Sequence, residues 1–336
     1  MVPMKNLQEP ATDTSHEATF QCLRAALRER IIAQEALVDR LLIALLADGH
    51  LLVEGVPGLA KTTAIKALAG LVETSFHRIQ FTPDLLPADL TGTEVYRPQD
   101  GSFAFQRGPL FHNLLLADEI NRAPAKVQSA LLEAMAERQI TVGAATYALP
   151  ALFLVMATQN PIEQEGTYPL PESQLDRFLL YVRVDYPAAE AELEILALAR
   201  REAFQAQESE PSTPGRRLSE ASVLAARREV LAVHLAPALE RYLVELVLAT
   251  RESQRYGEDL ERWIAFGASP RATIALDRCA RANAWLEGRS YVTPEDIQAL
   301  APDVLRHRMV LNYEAEADGI DSDRIISILL DAVAVP

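Results

Sequence analysis

With 336 residues, 49% of them hydrophobic and 24% charged, the chain has an ordinary globular composition and room for two domains with ample buried core. A formal net charge of −15 argues against non-specific nucleic-acid binding, and no apolar run approaches the roughly 20 residues of a membrane span. The opening MVPMKNLQEPATDTSHE carries no signal-peptide pattern. Neither the two cysteines (Cys22, Cys279) nor the six histidines suggest a disulfide framework or a zinc site, so a soluble cytoplasmic protein is expected.

Residues 1–18 read as a flexible polar segment. From Thr19 to Ala47 apolar residues recur at helical spacing, with a break near Ile31–Glu35. Ile32 and Ala33, just ahead of the next strand, suit either the wall on which an adenine rests or simple core. His50–Thr63 (HLLVEGVPGLAKTT) then runs from a buried strand into a turn with Gly55, Pro57 and Gly58, and on into a helix after Lys61-Thr62-Thr63. A triphosphate site needs this order. Backbone N–H groups of Gly55, Gly58, Leu59, Ala60 and Thr63 can face phosphates, Lys61 reaches the β- and γ-phosphates, and Thr62 ligates Mg²⁺. Ala60 stands where a glycine usually precedes the lysine, and alanine is expected to fit only if the backbone there avoids positive φ.

SFHRIQF (75–81) alternates like a strand, and 91–109 reads as a hairpin with Val95 and Tyr96 opposite Phe103 and Phe105. Leu114–Ala117 is a buried strand ending in Asp118 and Glu119. Carboxylates at the C-terminal edge of a parallel strand point into the ligand crevice, so Asp118 would hold Mg²⁺ through water and Glu119 would polarise the attacking water. An amphipathic helix (Lys126–Glu137) and a second hairpin (138–150) follow. The buried strand 152–161 ends in Thr158, Gln159 and Asn160, where Asn160 could position water near a γ-phosphate. Arg177 ends a short helix before the strand LLYVRV.

From Pro187 onward helical patterns dominate. Gln205–Arg216 reads as a loop, Thr293–Asp296, Asp321–Asp323 and Ser269-Pro270 as helix starts, and Arg227-Arg228 as a solvated face.

The succession GVPGLAKT, FTPDLLPADLTG, LLLADEINRAP, MATQNP, LPESQLDRF and GASPRA resembles the MoxR-type AAA+ ATPases of the helix-2-insert branch, from about Thr19 to about Leu311. The family typically has alanine at the position of Ala60, whereas Ala33 departs from its usual Gly-Gln pair. The resemblance implies a five-stranded parallel α/β core (19–186) followed by an all-helical lid domain (187–336), with the two hairpins as the inserts of that branch. It implies Lys61 and Thr62 as the Walker A pair, Asp118 and Glu119 as Walker B, and Asn160 as sensor 1. Arg177 would be an arginine finger serving the neighbouring subunit, and Arg271 the sensor 2 that helps neutralise the γ-phosphate.

ATP and Mg²⁺ are the implied cofactors. Also implied are a hexameric ring, chaperone-like remodelling of client proteins, and a partner with a von Willebrand factor A domain. Rival readings are a magnesium-chelatase-like ATPase subunit, a nucleic-acid motor of the same branch, and a nucleotide-gated scaffold without turnover. The motor predicts cations at the hairpin tips, where Gln99-Asp100-Gly101 and Gly143-Ala144-Ala145 offer none.

Overall fold

The computed structural model describes residues 15–56, 58–99, 101–161, 166–207 and 217–336. Helix α1 (His16–Arg30) starts ahead of the expected Thr19 because Ser15 Oγ accepts from the Ala18 N–H at 3.2 Å, and Glu17 suits the positive end of the helix. After a break through Ala33, in the left-handed region at φ 57°, α2 (Glu35–Leu46) is buried without interruption from Leu41 to Leu46.

A five-stranded parallel sheet carries the site. Its strands are β1 (Leu51–Gly55), β2 (Phe76–Gln80), β5 (Leu114–Asp118), β8 (Leu154–Gln159) and β9 (Leu180–Val184). Between β2 and β5 lies the hairpin β3 (Gly92–Arg97) with β4 (Ser102–Arg107), and between β5 and β8 the hairpin β6 (Gln139–Val142) with β7 (Ala145–Ala148). The spatial order is β9-β1-β8-β5-β2, which sets the Asn160 strand between the strands leading to Lys61 and to Asp118. Runs such as Leu114–Ala117 are fully buried because helices cover both faces of the sheet. One face packs on α1, α2 and α3 (Lys61–Leu71). The other packs on α4 (Ala125–Glu137) around Phe81, Phe153 and Phe178.

Both expected hairpins form. Val95 pairs with Ala104 and Tyr96 with Phe103, and Phe105 stacks on Tyr147 at 4.3 Å, so the second hairpin braces the first.

The second half is helical apart from short strands such as Leu218–Ser219. Its main helices are α5 (Ala189–Gln207), α6 (Glu220–Ala232), α7 (Pro237–Arg251), α8 (Pro270–Leu286), α9 (Pro294–Leu305) and α10 (Ser322–Ala332). The expected starts are capped: Ser269 Oγ accepts from Arg271 N–H, and Thr293 and Asp296 form a capping box. Helix α5 runs through Gln205 to Gln207, so the expected loop begins later than Gln205, and 208–216 lie outside the described residues.

Arg227 is not on a solvated face. It is buried, its Nε donating to Leu45 O at 2.8 Å and its Nη1 lying 2.6 Å from Asp48. The reason is that α6 and α8 pack directly on α2, merging the helical half and the sheet into one apolar cluster. Phe20 of α1 meets Trp285 of α8 edge-on at 5.3 Å within that cluster.

Candidate active site

The C-terminal ends of β1, β5 and β8 open onto a cleft of about 490 Å³. Its floor is the loop Gly58–Ala60 and the first residues of α3, whose N-terminus faces the cleft as an anion site would require. Ala60 adopts φ 56°, so the expectation that an alanine there must avoid positive φ is wrong. The left-handed region costs a non-glycine residue about 1 kcal/mol, which the helix it starts can absorb: Ala60 O accepts from Ala64 N–H at 2.9 Å. Gly55 lies behind the floor and does not line the cleft; an added Cβ would come within 2.7 Å of Val184 O.

Ile32, Pro187, Ile195 and Leu198 give the cleft an apolar wall. Of the two readings open for Ile32, cleft wall or simple core, the structure has it line the cleft, and Gln34 faces the cleft with it. Ala33 does not line the cleft, because its left-handed backbone turns it away.

The polar wall is built on Asp118, Glu119, Thr158, Gln159, Asn160 and Arg78. Thr158 Oγ1 donates to Asp118 Oδ1 at 2.6 Å and accepts from the Glu119 N–H at 3.0 Å. Glu119 itself sits at φ 57°, ψ 50°, a strained conformation that turns its carboxylate out of the strand line. There it accepts from Gln80 Nε2 at 2.7 Å and Arg122 Nη1 at 2.9 Å. Arg78 donates to Asp118 Oδ2 from Nη2 at 2.6 Å and from Nε at 3.1 Å.

Lys61 Nζ donates back to Gly55 O, with Asp118, Glu119 and Glu54 near enough to hold its charge. Desolvation nevertheless dominates and lowers the Lys61 pKa. Thr62 and Asp118 offer the hard oxygen donors that Mg²⁺ takes. Asp118 also holds a cation already, the Arg78 guanidinium, so this carboxylate suits a positive charge.

Arg177 and Arg271 are not in this cleft. Both line a second recess of about 280 Å³ with Asp48, His50 and Arg138. Arg177 Nη1 donates to Leu132 O at 2.7 Å, and Arg271 lies 3.9 Å from Asp176, which also accepts from Arg308 Nε at 2.8 Å. Asp48 and His50 precede β1 and Arg177 precedes β9, so the recess is at the N-terminal edge of the sheet. A five-residue parallel strand spans about 16 Å, so the recess and the Lys61 cleft lie at opposite ends of the sheet. Arg271, expected to help neutralise the γ-phosphate, does not line the Lys61 cleft of its own chain. Of the helical half, α5 lines the Lys61 cleft, while α6 and α8 dock on α2.

The family description "ATPase family associated with various cellular activities (AAA)" matches residues 50–180, and that of the AAA lid domain matches 259–329. Over 307 residues the chain is 50% identical to "Chaperone MoxR1" of Mycobacterium tuberculosis, covering 91% of this chain and 79% of that one. The chain belongs to the MoxR family of AAA ATPases. A second relative is the uncharacterised protein YeaC of Bacillus subtilis, 45% identical over 295 residues and 88% of each chain. A Cytophaga hutchinsonii protein provisionally named an ATPase has a crystal structure that superposes with a TM-score of 0.86, at 46% identity over 96% of each chain.

Within this MoxR-family fold, Arg78, Gln80, Thr158 and the α5 residues Ile195 and Leu198 are site residues that sequence reasoning passed over. A signal for two of them existed. In a strand of alternating faces Arg78 and Gln80 point the same way, and Gln80 is in register with Asp118.

Proposed function

We propose that this chain binds and hydrolyses ATP at the Lys61 cleft, and that it turns over only when self-assembled, with Arg177 and Arg271 serving the cleft of a neighbouring copy. The observation that carries this reading is the position of both arginines at the sheet edge opposite the P-loop. The adenine would rest on Ile32, Pro187 and Leu198, and the phosphates on the Gly58–Thr63 backbone with Lys61. Thr62 and Asp118 would hold Mg²⁺, which when bound supplies charge neutralisation at the β- and γ-phosphates. Glu119 would orient and deprotonate the attacking water, and Asn160 would fix its position.

Hydrolysis needs positioning and charge stabilisation more than covalent help, so withholding a neighbour's arginine suffices to keep an isolated chain nearly idle. The chaperone name of the Mycobacterium tuberculosis relative supports remodelling of client proteins, while a hexameric ring and a von Willebrand factor A partner are what the sequence resemblance implies. The remodelling reading is favoured over a nucleic-acid motor by the net charge of −15. We place the protein in the cytoplasm; no helix among the described residues is long and apolar enough to cross a membrane.

Calorimetric titration of ATP into wild-type and Lys61→Ala protein tests the cleft. Lys61→Ala should lose most of the affinity, since the loop's own cation is gone. Near-wild-type binding would refute the assignment.

A further inference from the structure

Asp118 is the last residue of β5 and faces the Lys61 cleft, and both of its carboxylate oxygens are already engaged. Oδ1 takes the Thr158 hydroxyl at 2.6 Å, and Oδ2 takes two N–H groups of Arg78 at 2.6 and 3.1 Å. The same guanidinium donates to Gln80 Oε1 at 3.0 Å, and the Gln80 amide donates to Glu119 at 2.7 Å. Arg78 thus belongs to one hydrogen-bonded chain that runs across both acids. Its side chain is 45% exposed while that of Asp118 is 13% exposed, so the arginine is free to swing outward and the carboxylate is not.

We propose that Arg78 is the counterion a divalent cation must displace from Asp118, making it a positioning residue that sets how tightly the cleft takes its metal. This rests on the assignment of the cleft as an ATP site. The chemistry is competition for one oxygen. A carboxylate that accepts two charge-assisted hydrogen bonds at Oδ2 can join a metal's hydration shell there only by giving them up. Without Arg78, Asp118 would be left with Thr158 alone and would recruit a cation more strongly. A lysine at 78 would keep the charge but offer a point contact instead of a fork, and would give way more readily than arginine.

The test is a Mn²⁺ titration of protein carrying one equivalent of ADP, with bound Mn²⁺ read from the loss of the free-ion electron paramagnetic resonance signal. Half-saturation for Arg78→Gln should fall at about one-tenth of the wild-type Mn²⁺ concentration, the scale of a lost charge-assisted contact, with Arg78→Lys between the two. A midpoint that is unchanged or raised in Arg78→Gln, with the protein still carrying ADP, would overturn the proposal. Thermal melts of the same samples add a second readout. Mn²⁺ should raise the melting temperature of Arg78→Gln more than that of wild type, and an equal rise counts against the displacement. If wild-type protein fails to carry ADP at all, the cleft assignment itself falls and takes this proposal with it.

Discussion

The hydroxyl of Thr158 donates to Asp118 Oδ1 across 2.6 Å and accepts from the Glu119 N–H at 3.0 Å, so one buried side chain fixes both acids of the cleft. Thr158→Val keeps the shape and removes both contacts, leaving a carboxylate oxygen and a backbone N–H without this partner. Unfolding in urea should show a loss of about 2 kcal/mol, the usual cost of stranding buried polar groups. ATP turnover should drop by about tenfold or more, because the strained Glu119 backbone loses its tether. Thr158→Ser should recover most of both; a fully stable, fully active valine variant would remove Thr158 from the machinery.

His50 gives the fold a pH dependence of defined sign. Its Nδ1 accepts from Val155 N–H at 3.1 Å, and burial first, then the Arg138 charge, push its pKa from 6.5 down to about 3. The unfolded chain therefore binds a proton that the folded chain refuses, and stability is lost as pH falls below about 6.5. Between pH 7 and pH 5 this residue should cost about 2 kcal/mol. Buried His307, whose pKa is also lowered by desolvation, adds a loss of the same sign. Urea midpoints at the two pH values should thus differ less for His50→Gln than for wild type. Equal differences would contradict the assignment of a neutral His50.

The first hairpin presents an aromatic pair to solvent, Tyr96 and Phe103 with ring centres 5.2 Å apart and 52% and 66% exposed. If it contacts client proteins, Tyr96→Ser with Phe103→Ser should leave stability within about 0.5 kcal/mol of wild type. ATP affinity should hold as well, since neither residue lines the cleft. Client capture by a Glu119→Gln background with ATP should be largely lost. Undiminished capture would assign the hairpin another role.

Much of this was readable from residue order alone. A short apolar run such as Leu114–Ala117 reads as an interior strand, and acids directly after it sit at the crevice end of a parallel sheet beside the P-loop, so Asp118 and Glu119 were legible as candidates. What stayed hidden depends on tertiary partners or on strain. Nothing local distinguishes Arg227 from its neighbour Arg228 until α6 docks on α2 and brings Asp48 within 2.6 Å. Alanine does not favour positive φ, so the left-handed turn at Ala60 is imposed by the loop and unreadable from the residue. Arg271 sits in a helix start that the sequence marked well, but where that helix docks is a property of the whole helical half.

If the Lys61 cleft is completed by another copy's Arg177, mixing two inactive proteins should restore turnover. Arg177→Ala keeps a working P-loop and lacks the arginine it lends; Lys61→Ala has a dead P-loop and can still lend one. Each alone should be nearly inactive. In rings assembled at random from equal amounts, roughly a quarter of the interfaces pair an intact P-loop with an intact arginine. Phosphate release by the mixture should therefore rise clearly above the sum of the separate proteins, with light scattering confirming mixed assemblies. Mixed assemblies that stay inactive over a range of ratios would show that Arg177 does not serve a neighbour's cleft.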